Sequence, residues 1–115
     1  MLSLASTQVA FGQKITADEY GHGTHVAGII TGDGFAFTSG GNTATHYRGV
    51  APGAKVLNLR VLDGKGAGYT SNVLAALDWC VKNKDKHNIR IINLSLGHPV
   101  FESYQTDPLC QMVER

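Results

Sequence analysis

The 115-residue sequence predicts a layered α/β fold with a parallel sheet, and three features of its second half support this prediction. A dense aliphatic run at residues 54–62 is bounded by Pro52-Gly53 and by Gly64, as is typical of a buried strand. A helical pattern follows at residues 70–84, and a second aliphatic run covers residues 89–96. Strand, helix and strand at this spacing predict a right-handed parallel βαβ unit, whose strands are usually covered on both faces.

The first twenty residues carry little pattern, and residues 8–15 are expected to be irregular or weakly extended. Residues 21–30 are much more distinctive and have the sequence Gly-His-Gly-Thr-His-Val-Ala-Gly-Ile-Ile. Val26, Ile29 and Ile30 recur at helical spacing, which predicts a short buried helix that begins just after His22 and ends at Gly32. This puts the imidazole of His22 on the first turn, facing outward.

Between Gly32 and Gly53 the sequence is dominated by glycine, serine, threonine and asparagine, which predicts a surface loop or an extended hairpin. Asp33 is the only carboxylate in this stretch, so we expect no calcium site there.

The helix at residues 70–84 is expected to be capped by Thr70 or Ser71 and to end in Lys82-Asn83-Lys84. Near the end of the chain, Asp107 followed by Pro108 predicts the N-cap and first residue of a helix of about two turns. The apolar face of the longer helix consists of Val73, Leu74, Leu77, Cys80 and Val81.

Composition excludes several classes of function. The net charge of +1 gives no electrostatic case for nucleic acid or an acidic membrane, and no apolar run is long enough to span a bilayer. Cys80 and Cys110 do not make a disulfide framework, and we interpret both as free and buried. We expect no metal and no cofactor.

A zinc site and a nucleotide-binding loop are two other possibilities, and each is compared with an ordinary structural role for the same residues. His22 and His25 could share zinc, but their spacing is i, i+3 and the Glu of the H-E-x-x-H pattern is missing, so His25 is interpreted as a packed or hydrogen-bonded histidine. The glycines at residues 64–68 are spaced G-x-G-x-G rather than G-x-G-x-x-G, and Asn93, Ser95 and Gly97 stand where an acidic residue is expected near the end of the next predicted strand. A bend from strand to helix is therefore expected there, and a Rossmann-like nucleotide binder is the weaker reading.

Residues 21–30 resemble the histidine motif of the subtilisin-like serine peptidases, in which the first histidine is the general base. The resemblance continues through Gly49-Val50-Ala51-Pro52-Gly53-Ala54, Gly66-Ala67-Gly68 and Ile92-Asn93-Leu94-Ser95-Leu96-Gly97, in the family's order. It implies a three-layer, parallel-sheet subtilisin-like fold, of which residues 1–115 would be an incomplete peptidase domain lacking N- and C-terminal parts.

The same resemblance implies roles for seven residues. His22 would be the catalytic base, and two stretches would bind a substrate peptide in extended conformation between them. Leu96 would line a pocket, although a plain core position is the alternative. The two stretches are Gly66, Ala67 and Gly68 on one side, and Ser95, Leu96 and Gly97 on the other.

The sequence departs from the family in what it lacks. Residues 1–20 contain no D-[ST]-G motif, and the setting of Asp18, the only aspartate there, does not match it. No G-T-S-x-[AS] nucleophile motif is present, and Ser95 does not stand in one. We therefore expect a serine endopeptidase fragment that is inactive alone, with a non-catalytic peptide-binding module as the alternative. By resemblance, the protein is expected to be secreted or extracytoplasmic.

Overall fold

A computed structural model of the chain describes residues 5–13, 17–34 and 48–115. Within these residues the elements are, in chain order, β1 (Ala5–Ala10), α1 (His22–Thr31), β2 (Val56–Arg60), α2 (Thr70–His87) and α3 (Pro108–Val113). The predicted α/β class is confirmed, since the chain contains both helices and parallel strands, and α1 lies between the two strands in sequence.

The sheet consists of β1 and β2, which pair in parallel. The register sets Gln8 opposite Asn58 and Ala10 opposite Arg60, and the ladder continues where the Phe11 amide donates to the Arg60 carbonyl at 2.9 Å. The observed parallel unit is therefore β1–α1–β2. The predicted unit started at β2 and ran through α2 to residues 89–96.

The prediction of a strand at residues 89–96 was wrong. This segment joins no ladder with any described residue and is mostly exposed, including Ile91 and Ile92. Residues 89–96 and β2 both line an open cleft of about 1040 Å³. A strand is held by hydrogen bonds to a neighbouring strand, and no ladder joins these two segments.

The core is formed where α2 packs over the end of β2. Phe11, Leu59, Leu96 and α3 residues pack around this cluster from the other elements. No side chain in the described part of the chain is completely buried. The cluster consists of Val61, Val73, Ala76 and Leu77, with Cys80 buried alongside on α2.

The helix α2 is longer than predicted and begins differently. Tyr69 is its N-cap and makes no capping bond from its side chain, so capping by Thr70 or Ser71 was wrong. The helix continues to His87 because its basic last turn suits the negative end of the helix dipole. It ends at Asn88, which has φ 50°, and the Ile89 amide donates to the Lys84 carbonyl at 2.9 Å. Val81, predicted on the apolar face, is half exposed.

Two shorter helices have the predicted bounds. α1 begins at His22 and ends at the C-cap Gly32, and α3 begins with Asp107 as N-cap and Pro108 as first residue. However, α1 is not a buried helix, because Thr31 is its only buried residue and Ile29 is 56% exposed.

The connection after α1 is closed by an isolated antiparallel bridge between Asp33 and Arg48. Beside it, the Gly49 amide donates to the Gly32 carbonyl at 2.8 Å and the Ala51 amide to the Ile30 carbonyl at 2.7 Å. Most of the predicted surface loop or hairpin, residues 35–47, lies outside the described residues.

Candidate active site

His22 is the first residue of α1, and its side chain is exposed to solvent, as the helical spacing predicts. Gly21, the N-cap before it, has φ 87°, in the left-handed region that favours glycine. The His22 ring makes no hydrogen bond or ion pair with another described residue. An exposed imidazole at this place is accessible to a ligand and able to accept a proton.

Asp18 holds the start of this helix. One carboxylate oxygen accepts from the Gly21 amide at 2.8 Å, and the other accepts from both the amide and the hydroxyl of Thr24, each at 2.7 Å. Partial desolvation opposes ionisation of Asp18, but the Thr24 and Gly21 hydrogen bonds and the charge of Arg60 outweigh it and lower the pKa of the carboxyl. Both oxygens are thus engaged with the helix N-terminus.

Arg60 ties the segment before α1 to the end of β2. Its buried guanidinium donates to the carbonyl of Ala17, to the carbonyl of Leu62 at 2.8 Å and to Glu19 at 3.4 Å. Because a guanidinium offers donors in a fixed planar arrangement, these bonds fix the position of residues 17–19 relative to β2. Sequence analysis did not single out Arg60.

The first predicted substrate-binding stretch, Gly66-Ala67-Gly68, lies in a tight turn between β2 and α2. The Asp63 carboxylate accepts from the Lys65 amide at 2.8 Å and the Ala67 amide at 3.0 Å, and these bonds lower its pKa. A phosphate bound in such a loop would need these same amides and would meet a negative charge. The geometry therefore argues against the Rossmann-like reading.

Glycine is required at two positions of this turn. Gly66 has φ 78°, and a Cβ there would lie 2.8 Å from the ring of Tyr20, the residue two before His22. A Cβ on Gly68 would lie 2.5 Å from the Val61 carbonyl oxygen. The turn is thus packed directly against the segment that leads into α1.

The second predicted stretch, Ser95-Leu96-Gly97, follows the extended segment after α2. Ser95 accepts from the side-chain amide of Asn93 at 3.0 Å, and open space lies where a Cβ of Gly97 would point. Leu96 is half-buried, packs against the core cluster and also lines the cleft described next. Leu96 can therefore line a pocket and belong to the core at the same time.

All seven predicted site residues line a single cleft of about 480 Å³. Tyr20, Leu62 and Leu109 of α3 also line this cleft. The larger cleft beside β2 also reaches His22, but it does not include the whole of either stretch. The residues that the smaller cleft brings together are His22, Gly66, Ala67, Gly68, Ser95, Leu96 and Gly97.

Two expectations about other residues need correction. His25 is exposed rather than packed, and no described residue bonds to its ring. Cys80 is free and buried, and burial raises its pKa; Cys110 is free but only half-buried. Across residues 5–13, 17–34 and 48–115, no group of three or more His, Cys, Asp or Glu side chains could hold a metal ion, and no helix has the length and apolarity to cross a membrane.

The fold and site together define an α/β protein with an exposed histidine at a helix start, facing a cleft with two glycine-bearing edges. The chain belongs to the subtilase family, whose family model matches residues 6–115. The predicted family and its partial subtilisin-like fold are thereby confirmed.

Curated relatives agree with this assignment. The chain is 34% identical over 102 residues, 84% of its length, to the serine protease AprX of Bacillus subtilis. It is 42% identical over 90 residues, 76% of its length, to subtilisin-like protease 3 of Pseudogymnoascus destructans, and 36% identical over 84 residues, 70% of its length, to subtilisin-like protease 5 of Arthroderma benhamiae. These matches cover 22%, 19% and 18% of the relatives, so the chain spans about a fifth of their length.

Proposed function

We propose that this chain supplies the general base and part of the substrate cleft of a secreted serine endopeptidase. The observation that supports this most directly is that His22 and both glycine-bearing stretches line the same cleft. The orienting aspartate and the nucleophilic serine would come from sequence outside residues 1–115, which would form an incomplete peptidase domain.

The role of His22 follows from the chemistry of acyl transfer. A serine hydroxyl is a poor nucleophile at neutral pH, so a neutral imidazole takes its proton as the oxygen attacks the peptide carbonyl. The imidazolium then gives that proton to the leaving amine, and the second half of the cycle repeats the exchange with water. The exposure of the His22 ring suits this role, because the proton must reach both partners.

Substrate binding would use the two edges of the cleft. An extended peptide can add to an exposed chain segment through backbone hydrogen bonds, which give affinity regardless of sequence. Gly97 leaves its side of the cleft open, and Ser95 and His98 near it are exposed. Half-buried Leu96 would contact a substrate side chain from the same edge.

The chain alone would be inactive. Asp18, the only aspartate before His22, binds Gly21 and Thr24 with its two carboxylate oxygens and makes no hydrogen bond with the His22 ring. The exposed apolar side chains of Ile91, Ile92 and Leu94 support the view that further sequence covers this region. Purified chain incubated with an unstructured peptide and a serine-directed phosphonate should show no hydrolysis and no labelling. Stoichiometric labelling would contradict the missing nucleophile.

The role of His22 is tested in the gene product that contains this chain. His22→Ala should reduce kcat/KM on a peptide substrate by at least about 10⁴-fold. His25→Ala is the matched control, since His25 is also an exposed histidine of α1. Equal activity of His22→Ala and the unmodified protein would refute the proposal.

The alternative is a non-catalytic module that binds extended peptides in the same cleft. It is favoured by one observation, that the His22 ring has no partner among the described residues. It predicts peptide binding by the gene product without turnover, and binding that His22→Ala leaves intact. Turnover that depends on His22 would exclude it.

A further inference from the structure

The start of α1 lacks the usual means of satisfying its backbone amides. The first N–H groups of a helix have no intrahelical acceptor, and an N-cap side chain normally supplies one. Here the N-cap is Gly21, which has no side chain. A side chain from elsewhere, or water, must then accept from the first amides of the helix.

Asp18 supplies that acceptor from three residues before the N-cap. Its carboxylate binds the Gly21 amide on one side of His22, and the amide and hydroxyl of Thr24 on the other. The backbone of His22 is therefore bracketed by hydrogen bonds to one rigid group.

Asp18 is itself anchored to the part of the chain that leads into the cleft. The residues on either side of it, Ala17 and Glu19, are both bound by Arg60 at the end of β2. Tyr20, two residues later, packs against Gly66. A series of contacts thus links the Gly66 turn, through residues 17–20 and the Asp18 carboxylate, to Gly21 and Thr24 on either side of His22.

We infer that Asp18 is a positioning residue for His22, which it holds at a fixed place relative to the edge of the cleft formed by Gly66, Ala67 and Gly68. The inference rests on the proposed role of His22 as general base. A base must lie within hydrogen-bonding reach of the proton it takes, and small displacements of catalytic groups have large effects on rate. Asp18 acts through the backbone and does not touch the substrate.

The kinetic test compares Asp18→Ala and Asp18→Asn in the gene product that contains this chain. Asp18→Ala removes the acceptor and should lower kcat by about 10- to 100-fold, with KM changed less than about threefold. Asp18→Asn keeps one acceptor oxygen, which can serve Thr24 or Gly21 but not both, and its kcat should lie between those of Asp18→Ala and the unmodified protein. A purely destabilising change would instead lower the amount of active protein and leave kcat per active site unchanged, which would overturn the inference.

A second measurement uses the gene product that contains this chain and does not depend on its activity. Asp18→Ala should speed hydrogen exchange of the Thr24 amide by at least tenfold and shift the ring resonances of His22. The matched control is Asp107→Ala, because Asp107 caps α3 in the same way by accepting from Leu109 and Cys110 at 2.8 and 3.0 Å. That variant should affect those two amides and leave Thr24 and His22 unchanged.

The outcomes separate this inference from the proposed function. If His22→Ala abolishes turnover while Asp18→Ala leaves kcat unchanged, only the positioning role fails. If His22→Ala has no effect, the proposed function fails whatever Asp18 does. An unprotected Thr24 amide in the unmodified gene product, or equal effects of Asp18→Ala and Asp107→Ala on Thr24, would also overturn the inference.

Discussion

The helices α1 and α2 are held in place by different kinds of interaction. α2 has 18 residues and packs through an apolar face, and no side chain caps its N-terminus. α1 has ten residues and only Thr31 buried, and its N-terminus is held by the Asp18 carboxylate. Burial is strong but has no direction, whereas hydrogen bonds fix distance and angle. The histidine proposed to act as base is on the helix that is held by directed bonds.

The largest difference between the two helices is expected when a buried side chain of α2 is truncated. Leu77→Ala should lower the local stability of α2 by about 2–4 kcal/mol, because it leaves a cavity in the core cluster. Ile29→Ala, on the exposed side of α1, should cost less than about 0.5 kcal/mol. Hydrogen exchange of peptides from residues 70–87 and 22–31 of the gene product measures both. Equal losses would show that burial holds α1 as well.

Gly66→Ala is expected to strain the contact between the turn before α2 and Tyr20, which precedes α1. The new Cβ would collide with the Tyr20 ring in a residue with positive φ, at a cost of about 1–3 kcal/mol. The matched control is Gly97→Ala, since nothing lies within 4 Å of its Cβ position. Hydrogen exchange in residues 17–22 should rise for Gly66→Ala alone. If both variants behave alike, the Tyr20 contact does not restrict the turn.

Loss of the Asp18 cap should affect α1 and depend on pH. Asp18→Ala should destabilise α1 by about 1 kcal/mol at pH 7. Because the pKa of Asp18 is lowered in the folded chain, its stabilisation is present above the unfolded pKa and is lost as the pH falls through the folded pKa. The difference between the unmodified and Asp18→Ala proteins should therefore shrink below about pH 4. Exchange of the Thr24 amide at several pH values measures it, and a constant difference down to pH 2 would contradict the role of the carboxylate.

The smallest effect concerns the C-terminus of α2. Asn88 has a left-handed backbone, which glycine adopts without a Cβ penalty but with a larger loss of entropy on folding. Asn88→Gly should change the stability of α2 by between zero and about 1 kcal/mol in the stabilising direction. Asn88→Ala should destabilise it, and exchange at residues 84–87 compares the two. A stabilising Asn88→Ala would show that the left-handed geometry is not required.

Local signals in the sequence predicted those elements that are determined locally. Asp107 followed by Pro108 predicted the start of α3 to the residue, and the aliphatic run at 54–62 predicted β2. β1 was missed because Ser6, Thr7 and Gln8 do not have the pattern of a buried strand, and only pairing with β2 reveals it.

Residues 89–96 were mispredicted for the opposite reason. Their aliphatic pattern is that of a strand, but a strand also needs a partner, and sequence pattern does not say which segment will lie beside it. The same limit applies to α2, whose extension to His87 depends on how its last turn is completed at Asn88.

The candidate site was predicted through motifs, and its supporting contacts were not. His22 and the two glycine-bearing stretches were named from resemblance, and their roles stay predictions. Asp18 was considered only as a triad aspartate, and Arg60 was not considered. An aspartate three residues before a glycine N-cap, followed by Thr24 six residues later, is the signal that would have identified the external cap.

The bridge between Asp33 and Arg48 has a consequence for engineering. It brings together the two ends of the connection that leaves α1, close to the bonds that join Gly32 to Gly49. Since loop-closure entropy changes slowly with loop length, these bonds between described residues, rather than the length of the connection, set where the chain leaves α1 and where it returns. A redesign of the connection should therefore keep Asp33, Arg48, Gly32 and Gly49.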